Sequence, residues 1–345
     1  MTYLKRHSLL ALSLATSMVL IACDGSGTTF EGSDETDTTT TDNGTGTSDS
    51  TSGVLCDYSQ SSYNSSDSVQ ATSTAAWTCS ETARELSANG IPDHEVGEFP
   101  NSANPNTISE QTVSATFSLT PTELGVATQL GGPAGVTGFM INGVKIDAGT
   151  GGSCDDTGTD CDLGDNSGSW SIEALSQDVF DFGADFNNAH VQPDGTYHYH
   201  GMPEGLIAKL GGNGTTASMT LIGWAADGFP IYARYGYSVA DDASSGLKTI
   251  SASYQTIDES TVSASRPSTD TYPLGTFRQD WEYVAGSGDL DECNGRDGVT
   301  PEFPGGIYHY YATDTYPFLQ RCVRGEVDSA GAPQGPPPGA AGAPQ

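Results

Sequence analysis

Three of the chain's six histidines, His190, His198 and His200, fall within eleven residues. Imidazole is both a common transition-metal ligand and a general acid or base near neutral pH, so this cluster is the first chemistry to weigh. On a strand, successive side chains alternate faces. That puts His198 and His200 on one face, about 6.5–7 Å apart, and Tyr197 and Tyr199 on the other. Just before them, Pro193-Asp194-Gly195 suits a three-residue hairpin loop, a type I turn closed by glycine in the left-handed region. If Gln192 pairs with Thr196, His190 stands opposite His198, with Cβ atoms about 5 Å apart. Three imidazoles on one side could offer three nitrogens at about 2.0–2.1 Å to one metal ion, leaving a position open for water or substrate. A slip of one residue would turn His190 to the wrong face. Copper and zinc suit such a donor set best, iron is possible and Ca²⁺ is not expected. The competing reading makes the three ordinary half-buried sheet residues bonded to carbonyls or carboxylates.

Residues 192–200 are echoed by 303–311 at a constant offset, with Pro, Gly, Tyr, His and Tyr repeated in place. If the two units are paired by symmetry, His309, with Tyr308 and Tyr310, would approach the first strand; otherwise it is an ordinary sheet residue. Tyr311 stands where the first unit has His200, so no second, equivalent metal centre is expected. His94, in a Pro-Asp-His-Glu turn, reads as a surface-loop histidine, with a remote ligand or base as the alternative. Asp227, in Asp-Gly-Phe-Pro, reads as a residue capping its own turn; otherwise it could orient an imidazole through that ring's second nitrogen. Tyr197, Tyr199 and Tyr308 are further candidates for a supporting role. The carboxylates Asp155, Asp156 and Asp160, and Asp289, Asp291 and Glu292, read as solvated acidic loops rather than Ca²⁺ sites, since neither group has EF-hand spacing. No Gly-x-Ser-x-Gly elbow, Walker loop or His-Glu-x-x-His helix occurs, which leaves serine hydrolase, nucleotide-binding and zincin readings without support.

The run Asp194-Gly195-Thr196-Tyr197-His198-Tyr199-His200-Gly201 resembles the signature that gives the YHYH protein family its name. The resemblance extends to Asn89–His94, Phe99–Asn101, Gly223–Tyr232, Asp289–Arg296 and Thr300–Glu302, and covers about residues 85–325. It implies kinship over nearly the whole folded region and implies no particular reaction.

The elements that must position these residues are mostly short. Thr112–Leu119, Gly138–Ile146, Ser218–Trp224 and Ile231–Tyr237 are rich in β-branched and aromatic residues and read as strands. Only Thr82–Ala88, Ser171–Leu175 and Pro203–Leu210 have a helical look. The expected fold is therefore mainly β, a sandwich or distorted double sheet with a few short helices, in a single disulfide-stapled domain over residues 56–326. Six cysteines, Cys56, Cys79, Cys154, Cys161, Cys293 and Cys322, lie in that region. An even number in an exported domain reads as three disulfides, and sequence proximity suggests pairing each with its neighbour, among the connectivities that six cysteines allow.

Residues 1–22 carry Lys5, Arg6 and His7 ahead of an apolar run and read as a secretory leader. It ends in Leu20-Ile21-Ala22-Cys23, which resembles the lipobox of bacterial lipoproteins, so Cys23 is the expected lipid attachment site. Acylation there would hold the chain on the inner or outer membrane, with its domain in the periplasm or at the cell surface; Asp24 favours inner-membrane retention in some enteric bacteria. Residues 23–55 are a Gly/Ser/Thr/Asp-rich acidic tether, and 327–345 a Pro/Gly/Ala-rich tail expected to be disordered. The whole chain carries 12 Lys plus Arg against 44 Asp plus Glu, net −32. Such a surface repels phosphate backbones and excludes nucleic acid as a partner. The acidity reads as a solubility device for a saline habitat in preference to weak Ca²⁺ sites. Two functions follow: an envelope lipoprotein holding a transition metal through the histidines, or a non-catalytic glycan- or protein-binding module using the tyrosines and Trp224 as apolar platforms.

Overall fold

The computed structural model describes residues 50–130, 135–149, 151–212 and 217–327. The leader, Cys23, the tether up to residue 49 and the tail beyond 327 lie outside the described residues. Four antiparallel strands form the first sheet: β1 (Tyr58–Asn64), β2 (Ala71–Cys79), β3 (Ala83–Ala88) and β4 (Val113–Ser118). Their side chains alternate between exposed and buried, the period-2 pattern of a sheet with one wet face. β5 (Glu123–Gln129) follows and pairs with the last strand, β21 (Cys322–Gly325).

Between them run β6 (Gly138–Met140), β7 (Lys145–Ile146), β8 (Ser153–Cys154), β9 (Cys161–Asp162), β10 (Trp170–Ser171), β11 (Ala189–Val191), β12 (Tyr197–Tyr199) and the one α-helix of the described residues, α1 (Glu204–Lys209). Then come β13 (Thr220–Ala225), β14 (Pro230–Ala233), β15 (Tyr235–Val239), β16 (Asp242–Thr249), β17 (Tyr254–Thr256), β18 (Trp281–Tyr283), β19 (Gly295–Gly298) and β20 (Ile307–Ala312). The second large sheet has the order β11-β12-β7-β6-β13-β14-β20-β19. It lies against the first sheet: the Trp77 indole N–H donates to the Ile141 carbonyl at 2.8 Å, Phe117 meets Phe139 edge to face, and the Arg84 guanidinium lies 3.4 Å from the Trp224 ring centre. The fold is thus mainly β, with two sheets sharing one core.

The eight strands are two copies of one four-strand unit. Each copy has an antiparallel hairpin (β6-β7; β13-β14). Its second strand runs parallel to a Tyr-His-Tyr strand (β12; β20), which pairs antiparallel with an outer strand (β11; β19). The copies meet antiparallel where Gly138 faces Ala225, Phe139 faces Trp224 and Met140 faces Gly223. That register maps onto itself when Phe139 and Trp224 are exchanged, so the two halves are related by a pseudo-two-fold axis at that pair.

Four of the expected elements differ from those found. Thr82–Ala88 is strand β3 rather than a helix, because Arg84 and Leu86 both point into the core between β2 and β4. Ser171–Leu175 is also not helical: Ser171 pairs with Ser153 and Ile172 bridges to Phe277. Gly138–Ile146 is a hairpin, turned at Asn142-Gly143 with Gly143 at φ +80°. Ile231–Tyr237 breaks into β14 and β15 at Arg234, which sits at φ +50°. The helix expected over Pro203–Leu210 is α1, and all three disulfides pair neighbours in sequence: Cys56–Cys79, Cys154–Cys161 and Cys293–Cys322. Near the start of the described residues, the Thr51 hydroxyl and carbonyl accept from the Arg84 guanidinium.

Candidate metal centre

The loop at 192–196 sets the site. Gly195 takes φ +87°, its N–H donates to the Gln192 carbonyl at 2.9 Å, and Gln192 N–H donates to the Thr196 carbonyl at 2.9 Å. Pairing therefore places His190 opposite His198, as the turn chemistry predicts. The chain then continues past β12 to His200, whose N–H donates to the Asn188 carbonyl. All three imidazoles converge: His200 Nε2 stands 3.0 Å from His190 Nε2 and 3.0 Å from His198 Nε2. Ligands at tetrahedral zinc with bonds of 2.0–2.1 Å would lie roughly 3.3 Å apart, so these two spacings are close to those of an ion's ligand set, and the three ligand atoms all lie within 4.8 Å of one another.

The far nitrogens settle where the lone pairs are. His190 Nδ1 lies 2.8 Å from the Phe182 carbonyl and His198 Nδ1 lies 3.2 Å from the Thr196 carbonyl. A carbonyl only accepts, so both Nδ1 atoms carry protons and both Nε2 atoms present lone pairs to the centre. His200 Nδ1 is buried without a partner, so only its Nε2 neighbours hold that ring. Desolvation first, then neighbouring imidazoles and the cations Lys145 and, for His200, Arg321, hold His198 and His200 well below the ordinary imidazole range; burial also lowers His190. All three are thus neutral, the form that binds metal. His198 and His200 are buried and His190 half-buried, so the approach is from the His190 side, where Phe182 packs against its ring. Together the three residues could hold a metal ion.

Lys145, on the strand beside His198, was not anticipated as part of the site. Its ammonium donates to Gln192 Oε1 at 2.8 Å and pairs with Asp147 at 3.3 Å. Burial pushes Asp147 up to about 6 against the pull of that lysine. The only signal in sequence was a lone Lys in an otherwise apolar segment.

The other face of β12 is a tyrosine face and is fully buried. Tyr197 donates to Asp185 Oδ2 at 2.8 Å. Tyr199 meets His94 Nε2 and receives a hydrogen bond from Asn142 Nδ2 at 3.1 Å. His94 is therefore neither a surface-loop residue nor a remote ligand. It is buried, with Nδ1 2.8 Å from the Glu95 carbonyl, and it anchors Tyr199 on the face away from the imidazoles. Asp227 does not orient any of the three histidines; it accepts from Tyr310 at 2.6 Å and from the Gly325 N–H at 2.8 Å. Tyr308 donates to Asp291 at 3.0 Å. His309 is buried six strands along the sheet from His190 and does not reach the first site. Trp224 and the motif tyrosines are buried as well, so they form no apolar platform for a glycan or a protein.

A family model described as YHYH protein matches residues 114–325, which span both hairpins and both Tyr-His-Tyr strands. The chain belongs to the YHYH family. The four family letters, Tyr197 to His200, supply two of the three imidazoles and the two buried tyrosines, while the third imidazole comes from the outer strand of the same YHYH unit. No curated protein and no solved structure matches the chain.

Proposed function

We propose that this YHYH protein is a lipid-anchored cell-envelope protein that binds one transition-metal ion through His190, His198 and His200, copper or zinc first and iron next. The observation that carries the reading is the pair of lone pairs on His190 and His198, fixed by Nδ1 donation to backbone carbonyls and aimed at a point shared with His200 Nε2. Without an ion, at most one proton on His200 Nε2 can serve two facing acceptors. An ion would satisfy all three. Three protein ligands leave a coordination position open, which is the arrangement that supports hydrolytic or oxidative chemistry at a bound ion.

The apolar leader ending in Cys23 supports export and acylation, and three disulfides fit an oxidising compartment. Acylation at Cys23 supplies the membrane contact, and the net acidity argues against a nucleic-acid partner. Elemental analysis of the purified protein by mass spectrometry tests the reading, with the His198→Ala plus His200→Ala double variant as the control. One ion per chain that disappears in the variant is expected; a metal-free wild type after exposure to copper and zinc would sink it. For the anchor, Cys23→Ser is expected to move the protein from the membrane fraction to the soluble one.

A further inference from the structure

The second YHYH unit keeps the architecture of the first in detail. Asp185 and Asp291 each accept from the leading tyrosine of their motif, Tyr197 and Tyr308. Three residues on, Asn188 and Asn294 both sit at positive φ, +54° and +65°. Each passes its carbonyl to the residue after Tyr-His-Tyr, His200 in one copy and Tyr311 in the other. His198 and His309 each turn Nδ1 to the carbonyl two residues back, at 3.2 Å and 2.8 Å. Pairing across the outer strands then makes Arg296, opposite His309, the counterpart of His190, opposite His198.

Two polar contacts among the three positions repeat from one copy to the other. Tyr311 Oη lies 3.0 Å from His309 Nε2, as His200 Nε2 lies 3.0 Å from His198 Nε2. Arg296 Nη2 lies 3.3 Å from Tyr311 Oη, where His190 Nε2 lies 3.0 Å from His200 Nε2. A guanidinium cannot lose its proton in a protein, so Arg296 is not a ligand and its charge repels a metal cation. It donates instead, to Tyr311 Oη and to the Tyr237 carbonyl. Tyr311 then donates to His309 Nε2, whose far nitrogen is the donor to Ile307. The chain of bonds runs from cation to imidazole with no ion needed.

We infer that the sheet carries two copies of one metal-binding unit, and that in the second copy the guanidinium of Arg296 has replaced the ion, leaving His309 and Tyr311 as a latent metal site closed by a built-in cation. This rests on the first copy being a metal site. It implies that the native chain takes up one ion and not two, and that its second half holds together without metal.

The experiment rebuilds the lost ligands with Arg296→His plus Tyr311→His, on the native background and on the His198→Ala plus His200→Ala background, and counts zinc bound per folded chain. Two equivalents on the first background and one on the second are expected, with cobalt(II) giving tetrahedral visible absorption in both. One equivalent and none, in chains whose circular dichroism matches the native protein, would overturn the inference while leaving the first site standing. With copper(II) counted in parallel, neither metal in the native protein but one equivalent in the rebuilt one would overturn the proposed function and support the latent site. Neither metal in any chain would overturn both. Should the double variant not fold, Arg296→His alone keeps Tyr311 as a ligand. Copper(II) should then give a phenolate charge-transfer band that Tyr311→Phe removes, and absence of the band counts against the inference.

Discussion

Asn142 and Asp227 occupy the same turn position in the two halves of the sheet, yet each bonds its motif tyrosine in the opposite sense. Asn142 Nδ2 donates to Tyr199, whereas Tyr310 donates to Asp227 Oδ2. Surroundings explain the choice. Asn142 also donates to Asp93 Oδ1 at 3.0 Å, so a carboxylate there would face another carboxylate. Around Asp227, the Tyr310 hydroxyl and the N–H groups of Gly325 and Phe229 all converge as donors. Asp227→Asn offers them one acceptor oxygen and adds an amide donor. It is expected to destabilise the protein by roughly 1–3 kcal/mol, the cost of leaving a buried donor unsatisfied, measured as a lower urea midpoint at pH 7. An unchanged midpoint would show that the three-donor account is wrong.

Removing one imidazole should cost more in affinity than disturbing its support. Losing an outer partner of a metal ligand typically costs 10–100-fold, so His198→Ala is expected to weaken zinc binding by more than about 100-fold. Metal at about 100 times its dissociation constant should stabilise the native protein by about 2.7 kcal/mol. That appears as a rise in melting temperature on adding zinc and a fall on adding chelator, both absent in His198→Ala.

The register at the first site was legible because one short loop determines it: Pro193-Asp194-Gly195 admits few turns, and the turn fixes who faces whom. Disulfide pairing was legible for a similar local reason, each cysteine lying near its partner in sequence. The duplication was only half visible. The tyrosine-histidine strands repeat at an offset of 111 (308 against 197), but the hairpins Gly138-Phe139-x-x-Asn142-Gly143 and Gly223-Trp224-x-x-Asp227-Gly228 repeat at 85 (223 against 138), so no single offset aligns both. Arg296 was invisible as a site residue for the same reason, since only strand pairing identifies it with His190. His94 reads as a loop residue because the contact that buries it, with Tyr199, spans about a hundred positions. β3 reads as a helix because Arg-Glu-Leu is a good helical string, and the neighbouring strands that override that propensity are not local.

Acid should loosen the second unit through His309. Burial holds this imidazole down to about 3, so the folded protein stays neutral there while the unfolded chain takes up a proton near 6.5. The unfolded state therefore binds more protons between these values, and stability falls as pH falls through that window, by up to about 1.4 kcal/mol per pH unit. Asp227, pushed up to about 6 by burial, has the opposite slope, its stability being lost as pH rises from about 4 to 6. Comparing metal-free native protein with His309→Gln cancels that second contribution. The stability gap between the two should narrow as pH drops from 6.5 to 4.5 in urea titrations, and a constant gap would count against a buried neutral His309.

Gly195 and Gly306 close the equivalent hairpin loops, at φ +87° and +91°, and only the first builds a proposed metal site. A Cβ on Gly195 would fall 2.0 Å from Ser109 Oγ, while one on Gly306 has only the Gly298 carbonyl at 3.9 Å. Both alanine variants pay backbone strain of about 1–3 kcal/mol for a left-handed non-glycine residue. Gly195→Ala must also push Ser109 away, and Ser109 N–H donates to the Gly195 carbonyl at 3.0 Å, so the loop itself moves. Because that loop sets His190 against His198, Gly195→Ala should lower zinc affinity as well as stability, and Gly306→Ala should lower stability alone. Isothermal titration with zinc beside urea unfolding separates the two. Equal affinity losses in both variants would mean that the turn does not position the site.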